Sequence, residues 1–435
     1  MMEKEIRPNE MELSVLRELA RRYMEIALNP KNDELRDLWR RHNGLEKTRV
    51  PIVCSWFYGS NTEYSLLRNE CVCKEGILLY LEQQLRNKIF HATIEDDYIF
   101  EPWIQIRAVL HGPENKNWGE YTEEGRPPIH DIWGEKQEFN IHGDGWQAIP
   151  FIYADEDIEK RLKPVAHSVN EEATQSRLEA VQDIFQDILP VSIDRRSIYA
   201  STFGGCDLSE AMGKFLGIEN MYYLIYDKPE LIHKLASFMQ KAILKNFEQA
   251  EALGDFIPDD SLNSSNGVTY CKDLADPVLN GKNYKMKDLW LFTHGQEFTS
   301  VSPKLHKEFL LDYQLPIMKK FGLVSYGCCE DLTRKIDMLR NIPNLRRIGV
   351  PPASNVAKSA EQIGKDYVMA WRPNPALISS FDKKELRRYM EAGFAGAKGC
   401  YVDVMLKDIM TVEGDRSRLN EWTKIVKEAA EKFEG

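Results

Sequence analysis

From about residue 51 onward, short apolar segments alternate with longer segments of helical character. The apolar segments include VPIVCSW, DLWLFTHGQEF, GLVSYGCCE, YVMAWRPNP and GCYVDVMLKD. Nearly continuous apolar strands that alternate with helices are typical of a parallel sheet whose faces are covered by helices. About eight such strand–helix units in one undivided chain favour a (β/α)₈ TIM barrel, in the α/β class, over an open doubly wound sheet.

Two other regions differ from this alternation. Residues 10–28 and 34–41 have helical patterns, so we predict an N-terminal helical extension over 1–47 and a barrel over 48–435. The stretch 111–150 is rich in Gly, Pro, Trp and charge, with short alternating pieces, and predicts a β-rich insert. Further strands are predicted within 98–110, 197–205 and 255–261. No GxGxxG follows the first strand, so the sequence gives no support for dinucleotide binding.

The charge balance excludes some classes of partner. The 435 residues carry a formal net charge of −11, whereas nucleic acids and anionic membranes require a basic surface. The first residues are charged throughout and lack the apolar core of a secretory signal, and no apolar run reaches membrane-spanning length. We therefore expect a cytoplasmic protein whose cysteines are reduced.

Polar residues follow several of the predicted strands. In TIM barrels the reacting groups lie at the C-terminal ends of the strands, so these residues are the candidates for a site. Candidates for acid–base chemistry are Asp259, Asp260, Tyr326 and Glu330. Candidates for substrate binding are Trp56, Tyr58, Gln296, Arg372 and Asn374. Lys407 and Asp408 end the last strand. The alternatives are a solvated turn for the two aspartates and core packing for the aromatic residues.

Two adjacent cysteines, Cys328 and Cys329, end one predicted strand. Adjacent cysteines rarely form a disulfide with each other, because the ring strains the peptide. Together with His294 and Glu297 from the preceding strand, they could supply thiolate, imidazole and carboxylate ligands to Zn²⁺. The alternative is that both cysteines are packing residues and that Glu297 caps a helix.

The segment HGQEFTSVSPKLHKEFLLDYQLPIMKKFGLVSYGCCEDLTRKIDML resembles the uroporphyrinogen decarboxylase superfamily. In that superfamily a strand with a polar end precedes an S-P-containing helix, and the next strand ends in a Cys-containing loop. STFGGCDLSEAMGKFLGIENMYYLIYDKPELIHKLASFM and TRVPIVCSW are also similar to the family. The resemblance extends from about residue 48 to the last helix. The arginine-rich loop of true decarboxylases is replaced by FYGSNTEYS, which argues against binding a substrate with many carboxylates.

The resemblance implies a corrinoid-dependent methyltransferase-like branch. Cys328 matches a cysteine that binds zinc in those methyltransferases, whereas Tyr326 replaces the family histidine and the distal cysteine is absent. We therefore expect Zn²⁺ bound by Cys328, Cys329 and Glu297, with His294 as a further ligand. The cobalamin would be carried by a separate corrinoid protein, because this chain has no D-x-H-x-x-G motif.

Three hypotheses for the function follow. The first is a zinc-dependent methyltransferase that moves a methyl group between a small methylated compound, for example a methoxylated aromatic, and the corrinoid protein. The second is a metal-free lyase that uses Asp259 or Asp260 as an acid. The third is a non-catalytic binding protein on the same fold. Metal analysis separates the first hypothesis from the other two.

Overall fold

The computed structural model describes residues 6–55, 68–113, 117–118, 132–142, 145–200, 205–206, 208–259 and 267–434. The chain is a mixed α/β protein in which parallel strands alternate with helices. The helices of the described ranges are Glu10–Ala27, Lys31–Asn43, Gly76–His91, Asp155–Arg161, Glu171–Phe185, Leu208–Leu216, Ile218–Asp227, Pro229–Leu253, Pro303–His306, Asp312–Met318, Ile336–Leu339, Val356–Ile363, Ala376–Ser380, Lys383–Gly396 and Ser417–Glu434. A π-helical turn, Lys307–Leu311, joins two of them. Among these helices none has the length and apolar character that a membrane span requires.

The described residues contain thirteen strands, numbered in chain order; the second to the seventh form separate pairs, and the other seven form the main sheet. In chain order they are β1 (Ile52–Cys54), β8 (Gly205–Cys206), β9 (Trp290–Thr293), β10 (Leu323–Tyr326), β11 (Leu345–Val350), β12 (Val368–Trp371) and β13 (Tyr401–Leu406). Their spatial order is β1-β13-β12-β11-β10-β9-β8, and every pair is parallel. Parallel neighbours place all their C-terminal ends at one edge, which is where the candidate site residues follow the strands.

A second parallel pair, β2 (Ile104–Arg107) with β7 (Val191–Asp194), stands apart from the main sheet in its hydrogen bonding. The predicted TIM barrel is therefore not confirmed: within the described residues no strand ladder joins β1 to β2, or β7 to the main sheet. Side chains replace a strand at the free edge of β1. Asp97 and Asp96 accept the amide protons of Ile52 and Cys54, both at 2.8 Å.

Two predicted strands differ from the structure. Of the prediction at 197–205, Ile198–Ala200 form a 3₁₀ turn, residues 201–204 lie outside the described residues, and Gly205 begins β8. The strand Val191–Asp194, which was not predicted, precedes the turn. Residues 255–259 form no strand ladder. The β-rich texture predicted over 111–150 agrees with two antiparallel pairs in the described part of this region. They are β3 (Leu110–His111) with β4 (Asn117–Trp118), and β5 (Phe139–His142) with β6 (Gly145–Ala148).

The second helix is joined to the sheet by a buried polar network. Nε2 of His42 lies 3.0 Å from Oδ2 of Asp403 in β13. Arg347 of β11 donates to Oδ1 of Asn43 at 2.6 Å and pairs with Asp403 at 2.9 Å. All four side chains are almost fully buried, and breaking a buried ion pair by removing one partner is strongly destabilising. The network therefore fixes the end of the second helix beneath the sheet.

Candidate functional site

The strands β9, β10, β12 and β13 bring several predicted residues to one edge of the sheet. His294, Gln296 and Glu297 follow β9, while Cys328, Cys329 and Glu330 follow β10; Arg372 follows β12 and Lys407 follows β13. These strands form the sheet because their apolar residues are buried on both faces, which leaves the first polar residues at their ends to form the site.

The centre of this edge is the pair of thiols. Sγ of Cys328 and Sγ of Cys329 lie 3.6 Å apart, and Nζ of Lys407 lies 3.6 Å from the first and 3.7 Å from the second. Cys328 and Lys407 are buried, with 9% and 5% exposure, whereas Cys329 is exposed. A lysine ammonium therefore sits against both sulfurs at the border between protein and solvent.

This geometry favours one thiolate in the pair. The hydrogen bond with Cys329, assisted by the charge of Lys407, holds the pKa of Cys328 well below its ordinary value although burial acts in the opposite direction. The same hydrogen bond raises the pKa of Cys329, so the two thiols share one negative charge. A thiolate rather than a thiol is the reactive form of cysteine, and the pair is therefore equipped to act as a nucleophile at neutral pH.

The loop that carries the thiols is held by backbone contacts. Arg372, which is buried, donates from Nη1 to the carbonyl oxygens of Gly327 at 3.1 Å and Cys328 at 2.8 Å. Gly327 has φ of +111°, a region that favours glycine. A Cβ on Gly349 of β11 would lie 2.7 Å from Nη1 of Arg372 and 3.0 Å from the carbonyl of Gly327. Gly327 thus allows the backbone turn of the loop, and Gly349 leaves the space through which the arginine reaches it.

Glu330 ties this loop to the loop after β9. Its Oε1 accepts the amide proton of Gly295 and its Oε2 accepts that of Cys328, both at 2.8 Å. Burial raises the pKa of this carboxyl, whereas His294 and the two amide hydrogen bonds act to lower it. Both oxygens are directed at backbone, so Glu330 positions the amide of the reactive cysteine. His294 is buried and interacts electrostatically with Cys328 and Glu330.

Glu297 is held elsewhere. Its Oε2 accepts a hydrogen bond from Ser209 of the helix Leu208–Leu216, and its Oε1 accepts one from Nε2 of Gln296 at 3.0 Å. Its Cγ packs where a side chain on Gly213 of the same helix would stand. One carboxylate oxygen and the alkyl part of Glu297 thus contact this helix, and the other oxygen is held by the neighbouring Gln296.

The fit to zinc is partial. Two thiolates on one tetrahedral zinc are separated by about 3.8 Å, given Zn–S bonds of about 2.3 Å, and the observed separation of 3.6 Å is close to that. A catalytic zinc also needs about three protein ligands. In the described ranges no three His, Cys, Asp or Glu side chains are grouped so that they could hold a metal ion. The described residues therefore do not complete the predicted zinc centre.

Three other predicted residues contact their local surroundings. The hydroxyl of Tyr326 donates to Oε1 of Gln314 at 3.1 Å and lies 2.8 Å from Nε2 of His306, so it joins β10 to the helical segment 303–318. The side chain of Asn374 accepts the amide proton of Ala376 at the start of the helix Ala376–Ser380. Gln296 supports Glu297, as described above.

A second polar cluster lies at the ends of β2 and β7. Nη1 of Arg107 lies 2.5 Å from Oδ2 of Asp194, and Nε of Arg196 lies 2.9 Å from Oδ1 of the same residue. Oδ2 of Asp259 lies 3.6 Å from Nη1 of Arg196, so Asp259 belongs to this cluster. The predicted residues Trp56, Tyr58 and Asp260 lie outside the described residues.

Sequence reasoning assigned no role to Lys407 or to the cluster of Arg107, Asp194 and Arg196. The sequence position of Lys407 and of the cluster could have indicated a role. Lys407 directly follows a buried strand, and Arg107 and Asp194 are the last residues of theirs. A charged residue at the C-terminal end of a buried parallel strand is unusual enough to be considered for a site.

No family model and no curated protein matches the chain. A solved structure described as a methyltransferase from Methanosarcina mazei is similar over 92% of this chain and 99% of that one, with 10% identity and a TM-score of 0.46. Similarity at that level supports no argument about the reaction, which must be derived from the residues of this chain.

Proposed function

We propose that this chain is a methyltransferase in which the thiolate shared by Cys328 and Cys329 is the reacting group. The observation that supports this is Lys407, whose ammonium lies within 3.7 Å of both sulfurs. The resemblance of YGCCE and the surrounding segments to corrinoid-dependent methyltransferases supplies the class of reaction. A lyase that uses Asp259 as an acid is less well supported, because that carboxylate pairs with Arg196.

The residues account for one displacement step. The thiolate sulfur attacks the methyl carbon of a methyl ether, amine or thioether, the S–CH₃ bond forms, and the bond from carbon to the heteroatom breaks with its electron pair on the heteroatom. Lys407 can give a proton to that leaving atom and regain one from solvent. Glu330 and Arg372 hold the Cys328 backbone during the attack. The corrinoid protein that the sequence predicts would then take the methyl group from the sulfur, which keeps the electron pair of the broken S–CH₃ bond and is again a thiolate; in the other direction the same steps would run in reverse.

Zinc is the cofactor that the resemblance implies, and the separation of the sulfurs favours it as a second candidate mechanism. When bound, Zn²⁺ would act as a Lewis acid toward the heteroatom of the substrate. Cys328 and Cys329 would be two of its ligands. Since Glu297 is engaged by Ser209 and Gln296, we do not include it in this set.

The test is methyl transfer to free cob(I)alamin, which stands in for the corrinoid protein. A panel of ¹³C-methyl ethers, amines and thioethers is offered, and methylcobalamin is measured by its absorbance. We expect transfer from at least one class and its loss in Cys328→Ser. The matched control is Cys400→Ser, since Cys400 precedes β13, at the opposite end of that strand from Lys407, and its thiol donates to the carbonyl of Ala360.

Elemental analysis of the same proteins separates the two mechanisms. About one zinc per chain in the parent, lost in both Cys328→Ser and Cys329→Ser, would assign the reaction to a zinc centre. Transfer by a zinc-free parent would assign it to the thiolate. Full transfer by Cys328→Ser, or none from any compound in the panel, would refute the proposal.

A further inference from the structure

The two sulfurs of the thiol pair are neighbours that could be joined by a small movement. They lie 3.6 Å apart, and a disulfide bond is about 2.05 Å long, so the sulfurs would have to approach by about 1.5 Å. Cys329 is exposed, so its side chain can rotate toward Cys328, and closure of the ring also strains the peptide between the two residues. Both residues follow the end of β10, so this strain falls on the loop and not on the strand.

The surroundings of the pair favour exchange with a disulfide. Thiol–disulfide exchange needs a sulfur that a small disulfide can reach and a second sulfur nearby to resolve the mixed disulfide. Cys329 is exposed, and Sγ of Cys328 lies 3.6 Å from its sulfur. The ammonium of Lys407 lies 3.6 and 3.7 Å from the two sulfurs, where it can interact with the anionic sulfur that attacks. Access, a second thiol for resolution and a neighbouring cation are thus combined at one loop.

The product would be strained and easy to reduce. The Cα atoms of adjacent residues are about 3.8 Å apart across a trans peptide, whereas disulfides usually join Cα atoms about 4.4–6.8 Å apart. Strain of this kind raises the reduction potential of a disulfide, and labile disulfides are the ones that respond to their surroundings. The dithiol is then the resting form in a reducing compartment, and the disulfide forms when small disulfides accumulate.

We propose that Cys328 and Cys329 form a reversible disulfide by exchange with low-molecular-weight disulfides of the glutathione type. The thiolate of the pair attacks one sulfur of the small disulfide, forms a mixed disulfide and releases one thiolate, which takes a proton. The second cysteine loses its proton and attacks the bound sulfur, which closes the ring and releases the second small thiolate. Two electrons and the one proton of the pair pass from the protein to the small disulfide, the second proton comes from solvent, and the small disulfide leaves as two thiols.

This inference does not depend on methyl transfer, since it concerns only the thiols and their cation. It has a consequence for any reaction that uses the thiolate, because the disulfide form has no free thiolate. The loop would then be inactive until a thiol reductant restores it. The same bond would also remove both sulfurs as ligands for a metal.

The chain contains a matched control pair. Cys71 and Cys73 are separated by one residue and are both buried, and burial raises the pKa of Cys71 to about 11 and that of Cys73 further. The carboxylate of Glu82 is the main charge beside them. Trypsin releases both pairs in separate peptides, Phe321–Arg334 for the reactive pair and Asn69–Lys74 for the control, and neither peptide contains another cysteine.

The experiment treats the full-length protein with oxidised glutathione, blocks the remaining thiols with iodoacetamide and weighs the two peptides. We expect peptide 321–334 to be unalkylated and lighter by two hydrogen atoms than its dithiol form, and to become fully alkylatable again after dithiothreitol. Peptide 69–74 should remain alkylated at both cysteines. In Cys329→Ser the peptide should instead carry glutathione on Cys328, and Lys407→Met should slow disulfide formation roughly tenfold.

Two results would overturn the proposal. One is a peptide 321–334 that stays alkylated at both thiols, or stops at a mixed disulfide, in oxidised glutathione. The other is equal oxidation of peptide 69–74, because that would show a general response of neighbouring thiols. Lys407→Arg retains the charge, and once circular dichroism has established that it is folded it should oxidise at nearly the parent rate.

Discussion

Replacing Lys407 by Met tests whether its charge creates the reactive thiolate. Methionine keeps the length of the side chain and removes the ammonium. With an effective dielectric constant of about 20, a positive charge 3.6 Å from a thiolate stabilises it by about 4.6 kcal/mol, or about 3 pKa units. Water that enters beside the methionine offsets part of this loss, so we expect the pKa of the reactive thiol to rise by about 1 to 3 units.

The assay follows the rate of iodoacetamide alkylation of peptide 321–334 as a function of pH. Only the thiolate reacts, so the midpoint of the rate profile reports the pKa of the pair. In the parent the reaction should persist well below the pH at which an ordinary cysteine stops reacting, and in Lys407→Met the profile should move upward. Lys407→Arg should keep the parent profile, because the guanidinium retains the charge.

Two outcomes would refute this reasoning. An unchanged profile in Lys407→Met would mean that the hydrogen bond between the two thiols alone sets their reactivity. An equal upward shift in Lys407→Arg would mean that the shape of the lysine, and not its charge, is responsible. Far-UV circular dichroism of each variant establishes that the comparison is between folded proteins.

Three other residues give predictions of stability. Gly349→Ala should lower the free energy of unfolding by about 1–3 kcal/mol in urea, because its Cβ would lie 2.7 Å from Arg372; an unchanged value would contradict the close approach. Tyr326→Phe should lower the free energy of unfolding by about 1–3 kcal/mol, because Oε1 of the buried Gln314 loses the hydroxyl that donates to it. The rate of thiol alkylation should stay at the parent value, and slower alkylation would assign Tyr326 to the site. Burial lowers the pKa of His42 below its ordinary 6.5, so the unfolded chain binds more protons and stability is lost as the pH falls from that value. His42→Gln should flatten that pH dependence in urea titrations, and an equal slope in the variant would exclude His42 as its source.

Much of the sheet was predictable because its strands are buried on both faces and are therefore continuously apolar. β9, β10, β12 and β13 lie within predicted segments, and their ends carry the thiols, Glu330 and Arg372. The strand Val191–Asp194 was missed because Ser192 and Asp194 interrupt its apolar character. Its pairing with β2 stabilises it as a strand, and that partner lies about one fifth of the chain away.

The candidate site was less predictable, because its contacts join residues that are distant in sequence. Glu297 was predicted as a metal ligand from its position after β9, but Ser209, which binds it, lies 88 residues earlier. Lys407 and Cys328 are 79 residues apart, and only the order of the strands in the sheet brings them together. Residue type and spacing identified the thiol loop, whereas its charge partner required the topology.

The buried network beneath the sheet has a consequence for the synthesis of the chain. His42 and Asp403 are 361 residues apart, and translation at about 5–20 residues per second separates their appearance by roughly 20 to 70 seconds. During that interval His42 has no Asp403 to pair with. The buried pair of His42 and Asp403 can therefore form only after the strand β13 has been synthesised.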